Sequence, residues 1–161
     1  MSLSPELLGA IAQTHLLTDG CDYVYLRFPL SQAGAVKLLL MAEESTFFCA
    51  MCDKNEFSLM VKQESWEIAS RTQRAEAVSP VYRCITFDII LDFNLVGYLA
   101  AMAQVLASQK IAILAFSAFS RDHIFVQQPD FLCAWDALHA YIGHCKANTG
   151  AKLFSGLVNT S

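Results

Sequence analysis

The sequence predicts an α+β fold made of two similar modules, each an antiparallel sheet with helices on one face. Three observations carry this expectation. Strand-like and helix-like segments alternate along the chain, in the order β-α-β-β in the first half and β-α-β-β-α in the second. A polar stretch, KQESWEIASRTQRAEAVSP at 62–80, separates the halves. The 161 residues are 55% hydrophobic and only 16% charged, so apolar material for a core is plentiful.

Each element has a local reason. Ser4-Pro5-Glu6 ahead of Leu7, Leu8 and Ile11 predicts a short leading helix with Ser4 as cap and Pro5 in its first turn. Thr18-Asp19-Gly20 reads as a turn, and Tyr23 to Phe28 alternates as a strand. Ser31 to Ala42 reads as a helix with Val36, Leu39 and Leu40 on one face. Thr46–Met51 and Phe57–Val61 read as strands joined by the turn Asp53-Lys54-Asn55-Glu56. In the second half, Val81–Leu91 is a long strand pattern and Asp92–Val96 a loop. Gly97–Gln109 is a helix whose Leu99, Met102, Val105 and Leu106 share a face. Ile111–Ala118 and Ile124–Gln127 follow as strands. Pro129-Asp130 opens a last helix with Phe131, Trp135, Leu138 and Ile142 on one stripe and Gly143 near its end. The expected division is 1–75 for the first module with its leading helix, 76–147 for the second, and 148–161 as a weakly ordered tail. The repeated element order points to a ferredoxin-like βαββαβ module used twice.

Composition also bounds function. A net charge of −4 gives no electrostatic reason to expect nucleic acid as a partner. The most apolar stretch, 95–119, is interrupted by Gln104, Gln109 and Lys110, so no membrane span is expected. The first residues lack a basic leader, and the six cysteines read as reduced thiols; the expected location is cytoplasmic. So few charges on so apolar a chain lead us to expect a homodimer. Cys49-Ala-Met-Cys52 is a CxxC, but on a strand positions 49 and 52 face opposite ways, and no second CxxC exists. His139, His144 and Cys145 read as a helix terminus. No metal or cofactor is expected, and no phosphate-loop, dinucleotide or nucleophile-elbow motif occurs.

One stretch resists a purely structural reading. SAFSRDHIFV at 117–126 places Arg121, Asp122 and His123 between two core-like strands. A plain hairpin would be served by Asn-Gly or Asp-Gly, and neither is present there. Asp bonding turn amides is the bland account of Asp122, and helix packing that of Gly97. The alternative is a binding site. The start of the 97–109 helix, at Asn94, Leu95, Val96 and Gly97, offers unpaired N–H groups to an anionic end. Asp122 suits an ammonium, and Phe119 supplies an apolar wall.

The segment DFNLVGYLAAMAQVLASQKIAILAFSAFSRDHIFV resembles the ACT-domain family, in its subgroup of small tandem proteins related to the cytosolic arginine sensors of the CASTOR type. The resemblance rests on Phe93, Gly97, Leu106-Ala107, Ile111, Ser117, Phe119, Asp122, His123 and Val126. FFCAMCDKNEFSLMV in the first half resembles the subgroup's strand-turn-strand more weakly. It implies paired ACT modules that bind a small molecule, an amino acid or a relative of one, at an interface between modules. It assigns binding roles to Phe119, Asp122 and the backbone around Val96 and Gly97. The arginine-sensing relatives carry an acidic residue two positions before the glycine, where this chain has Leu95. The implied ligand is therefore apolar or small, since a buried guanidinium without a carboxylate is costly.

An enzyme reading stands beside this one. Asp122 and His123, with Arg121 next to them, form a compact acid/base set, and Asp88 and Asp92 lie on and after the preceding strand. A cyclase, lyase or isomerase acting in an ACT-type pocket would use Asp122 and His123 as its catalytic pair. A scaffold that merely assembles through its apolar surface is the third reading.

Overall fold

The computed structural model describes residues 3–32, 34 and 47–158. The chain forms two compact units, 1–18 with 85–161 and, separately, 19–84. Unit 1 contains helix α1 (Pro5–Gln13), strand β1 (His15–Leu17), helix α3 (Tyr98–Ser108), strands β7 (Ile113–Ser117) and β8 (Asp122–Gln127), and helix α4 (Phe131–Val158). Unit 2 contains β2 (Asp22–Phe28), β3 (Cys49–Cys52), β4 (Phe57–Lys62), α2 (Gln63–Ala69) and β5 (Ala77–Val78). The chain passes from unit 2 to unit 1 within strand β6 (Tyr82–Asp88).

In unit 1 the strand order is β1-β6-β8-β7. β1 pairs antiparallel with β6, His15 opposite Asp88 and Leu17 opposite Thr86, and β7 pairs antiparallel with β8, Ser117 opposite Asp122. Alternation turns Leu16, Ile85, Phe87, Ile124 and Val126 to one face. There they join Leu7 and Ile11 of α1, Tyr98, Met102 and Leu106 of α3, and Ala134, Leu138 and Ile142 of α4 in one core. Ser4 caps α1, its hydroxyl accepting from the Leu7 N–H at 3.1 Å. In unit 2, β3-β4-β2 form the sheet and β5 adds to β2. Val24, Leu26 and Phe28 lie directly opposite Val61, Leu59 and Phe57, and these six form the second core with Trp66 of α2 packed on it. This is the expected α+β architecture of ferredoxin-like modules with antiparallel strands.

The expected boundary at 75 is not where the chain divides. The polar stretch 62–80 is not a linker: it forms α2 and β5, both within unit 2. Of its charges, Lys62 ends β4 and Glu64 and Glu67 lie on the short helix α2, so ordered elements here share the composition of a linker. The leading helix belongs with the second half, because β1 completes that sheet. The last helix does not end near Gly143, and the expected tail from 148 continues it, the helix backbone running to Val158. The strand read over 81–91 ends at Asp88. The helix expected over Ser31–Ala42 lies outside the described residues apart from its start, a 3-10 turn at Leu30–Gln32.

Two glycines separate backbone need from open space. Gly97 caps α3 with φ +92°, and a Cβ there would sit 3.4 Å from the Leu7 side chain. Gly143 lies inside α4, and a Cβ there would meet nothing within 4 Å. Urea unfolding should show Gly97→Ala less stable by about 1–2 kcal/mol. Gly143→Ala should be more stable by roughly 0.5–1 kcal/mol.

Candidate functional site

The residues singled out near 94–97 and 117–123 all belong to unit 1, on the loop after β6 and on the β7–β8 turn with the start of β8. The loop after β6 is folded by local bonds: Asp92 Oδ1 accepts from the Asn94 backbone N–H at 2.8 Å and from its side-chain amide at 3.0 Å. The Leu95 N–H donates to the Asp92 carbonyl at 3.0 Å. The β7–β8 turn is closed by the Ala118 N–H donating to the Arg121 carbonyl at 2.9 Å. Loop and turn then join. The Leu91 N–H donates to the Ser120 carbonyl at 3.4 Å, and the Phe93 and Phe119 rings pack edge to face with centroids 5.1 Å apart. The α3 start at Gly97 carries no side-chain cap.

The strand pleat sorts the polar residues. Asp122 accepts the Ser117 hydroxyl at 2.6 Å, whereas His123, one residue on, bonds through Nδ1 to the Thr86 hydroxyl at 2.9 Å. Adjacent strand residues point to opposite faces. Asp122 lies on the side of Tyr98, and His123 on the side of Thr86. The structure therefore does not bring Asp122 and His123 onto one face as an acid/base pair. Arg121 is engaged by Asp88, Nε to Oδ1 at 2.8 Å. Asp92 lies in the loop, holding Asn94, and does not share a face with Asp88. Asn94 spends both its backbone N–H and its amide on Asp92, so the free donors lie further on, toward Gly97.

The apolar residues here are open to solvent. Ile90 is 75% exposed, Phe93 77%, Val96 83% and Phe119 84%. Leu95 is half-buried against the core. Of these, Phe93 and Ile90 were not among the expected site residues; Phe93 was legible only as one of the residues that carry the family resemblance, Ile90 only as the end of a strand pattern. Beneath the turn lies a bond that sequence reading missed, Thr14 hydroxyl to Tyr98 hydroxyl at 2.7 Å, fully buried. Nothing in α1 flags Thr14, which acquires its partner only through the tertiary fold.

The other motifs do not converge. Cys49 and Cys52 both lie on β3, opposite Met60 and Phe57. His139 packs on the Trp135 ring at 5.0 Å, His144 bonds Asn148, and Cys145 is buried. These three lie well inside α4, not at the helix terminus expected from sequence. Among the described residues no group of three or more His, Cys, Asp or Glu side chains is placed to hold a metal ion.

A family model described as ACT domain matches residues 77–140, in the second half of the chain. The fold agrees. A Vibrio cholerae protein of unknown function, described as a possible transport protein, is similar at TM-score 0.64 and 23% identity, covering 85% of this chain and 94% of its own. The aspartokinase alpha and beta subunits are similar at TM-score 0.59 and 17% identity, covering 79% of this chain and 96% of theirs. The regulatory subunit of aspartate kinase from Thermus flavus is similar at TM-score 0.55 and 15% identity, with 79% and 95% covered. No curated protein matches the chain. No helix of the described residues is long and apolar enough to cross a membrane.

Two titrations should report on this region. Burial, with the Asp122 charge adding to it against the Thr14 bond, pushes the Tyr98 phenol up to about 12. Between pH 10 and 12 the folded chain keeps a proton that the unfolded chain releases, so stability falls as pH rises. The slope reaches at most about 1.4 kcal/mol per pH unit, and Tyr98→Phe should remove it in alkaline unfolding curves. Burial pushes the His123 imidazole down, the neighbouring Asp122 opposing and Arg121 assisting. The unfolded chain then takes up a proton first as pH falls below the ordinary histidine value, and stability drops on that side. His123→Gln should flatten the acid limb, and ring titration followed by NMR should place the His123 midpoint below 6.5.

Proposed function

We propose that this chain is a regulatory or sensory small-molecule-binding protein of the ACT type, of the small tandem kind. Its ligand is an apolar α-amino acid or a close relative of one. The ACT-domain match and the likeness to an aspartate kinase regulatory subunit support the class. The observation that supports the site is the contact between loop and turn, the Leu91–Ser120 bond and the Phe93–Phe119 pair; in this reading the α3 start and Asp122 serve one ligand. In this reading the backbone at Val96 and Gly97 holds the ligand carboxylate and the Asp122 carboxylate holds its ammonium. Phe119 and Phe93 form the wall, and His123 backs Asp122 from the opposite face. Leu95, where arginine sensors carry an acidic residue, selects an apolar side chain. Interface binding requires a second module over this open surface. A homodimer supplies it by covering Ile90, Phe93, Val96 and Phe119, which are too exposed to enclose a ligand alone. The reading needs neither nucleic acid nor membrane and places the protein in the cytoplasm.

Calorimetry with the standard amino acids should show saturable binding of an apolar one. Asp122→Asn should weaken it by about 1.5–3 kcal/mol, the size of a charge-assisted hydrogen bond. Folding stability should change little, because an asparagine carbonyl still accepts from Ser117. Unaltered binding with a lowered melting temperature would make Asp122 a turn residue only, and turnover of a substrate would favour the cyclase, lyase or isomerase reading. Light scattering should return twice 17.8 kDa for the native chain and a monomer for Phe119→Ser; a monomeric native chain would remove the dimer from the reading.

A further inference from the structure

Unit 1 holds a concave region that shares no lining residue with the loop and turn. It is a cleft of about 410 Å³ between β1 and α4, lined by Thr14, His15, Leu16, Leu17 and Asp88 on one side and His139, Ile142, Gly143 and Lys146 on the other. That size falls within the usual range for small-molecule sites, about 300–1,000 Å³. We propose that this cleft is a ligand site for a short organic anion, its acidic group a carboxylate or a phosphate.

The floor is apolar and fixed: Leu16 and Ile142 are buried in the core. The wall on α4 is one stripe, since positions 139, 142, 143 and 146 follow the i, i+3, i+4, i+7 spacing of a helix face. Gly143 leaves the middle of that stripe bare, and a side chain there would project into open space. The polar groups have unequal freedom. Thr14 is committed, bonded to the Ala10 carbonyl and to Tyr98. The Asp88 charge is met by Arg121 at 2.8 Å. Among the described residues Lys146 forms no ion pair and the His15 side chain no hydrogen bond. The uncompensated charge facing the cleft is therefore positive, and the imidazoles of His15 and His139 add donors for an anionic oxygen. His139 and Lys146 lie two turns apart, about 10 Å along the helix. A molecule with a polar group at each end and a short apolar middle over Ile142 and Gly143 matches that spacing.

Succinate and, separately, inorganic phosphate serve as probes, followed by histidine ring resonances and calorimetry on the intact chain. Saturable shifts of His15 and His139 are expected, with Lys146→Met weakening binding at least tenfold. Gly143→Leu should block the cleft without lowering the melting temperature, leucine being the better helix former. An apolar amino acid in excess should not displace the probe, which keeps this site separate from the one at Asp122. Saturation by phosphate alone supports the site and assigns a phosphorylated ligand; saturation by succinate assigns a carboxylate. No saturable shift with either probe, or equal affinity in Lys146→Met and the native chain, overturns the proposal.

Discussion

The row of apolar side chains that Leu16, Ile85, Phe87, Ile124 and Val126 turn toward the helices is the constraint on which unit 1 depends. Four strands contribute to the sheet, and their helix-facing positions must all be covered at once. The chain supplies that cover from both of its ends. α1 and β1 arrive from the N-terminal side, and α3 and α4 from the second half. The Thr14–Tyr98 bond shows how far apart the partners lie, 84 positions in sequence, and it is buried. A hydroxyl pair in such a place must be formed or it leaves unsatisfied polar atoms in the core. Docking of α1–β1 is thus coupled to the correct seating of α3, and so to the position of the loop that begins it. Closing so long a loop has an entropic cost, which slows folding in proportion to the share of non-local contacts.

The same sheet decides what the polar residues of the turn can do. Arg121, Asp122 and His123 are consecutive in sequence and look like one cluster. The pleat splits them: Asp122 goes to the side of Ser117 and Tyr98, while Arg121 and His123 reach Asp88 and Thr86. General acid–base catalysis needs both groups within hydrogen-bond reach of one substrate, and residues on opposite faces do not meet that condition. Binding requires less, a single carboxylate at the edge of an apolar surface, the role proposed above for Asp122. The pleat therefore counts against Asp122 and His123 as one acid/base couple.

How much of this was legible follows from how local each signal is. α3 was readable to within a residue because Leu99, Met102 and Leu106 repeat at helical spacing and Gly97 marks the cap. The β7–β8 hairpin was readable from its apolar runs. β1 was not, because three residues cannot display a period, and its strand character comes only from pairing with β6. Missing β1 also misplaced the boundary between units, since the leading helix follows its strand. α2 was hidden for the opposite reason, its polar composition imitating a linker, and β5 because two residues cannot display a period. In the candidate site, Gly97, Phe119 and Asp122 carry recognisable types at recognisable spacing, whereas the cleft lined by His15 and Lys146 has no sequence signature at all. Its walls come from segments more than a hundred positions apart.

The Asp88–Arg121 ion pair lies where these two regions of unit 1 adjoin, Asp88 lining the cleft and Arg121 preceding Asp122. Both side chains are more than a third exposed. A pair that exposed contributes at most about 1 kcal/mol to stability. The buried row beside it is of a different order, since truncating one Phe in such a core costs about 3–5 kcal/mol. Stability and charge are thus carried by separate residues. The core holds the turn and the strand end in place, and the ion pair sets the charge presented at that end. By neutralising Asp88 it leaves Lys146 as the unbalanced charge of the cleft, and by engaging Arg121 it leaves Asp122 as the unbalanced charge of the turn. One surface contact thereby gives neighbouring regions opposite electrostatic signs without drawing on the packing that holds them.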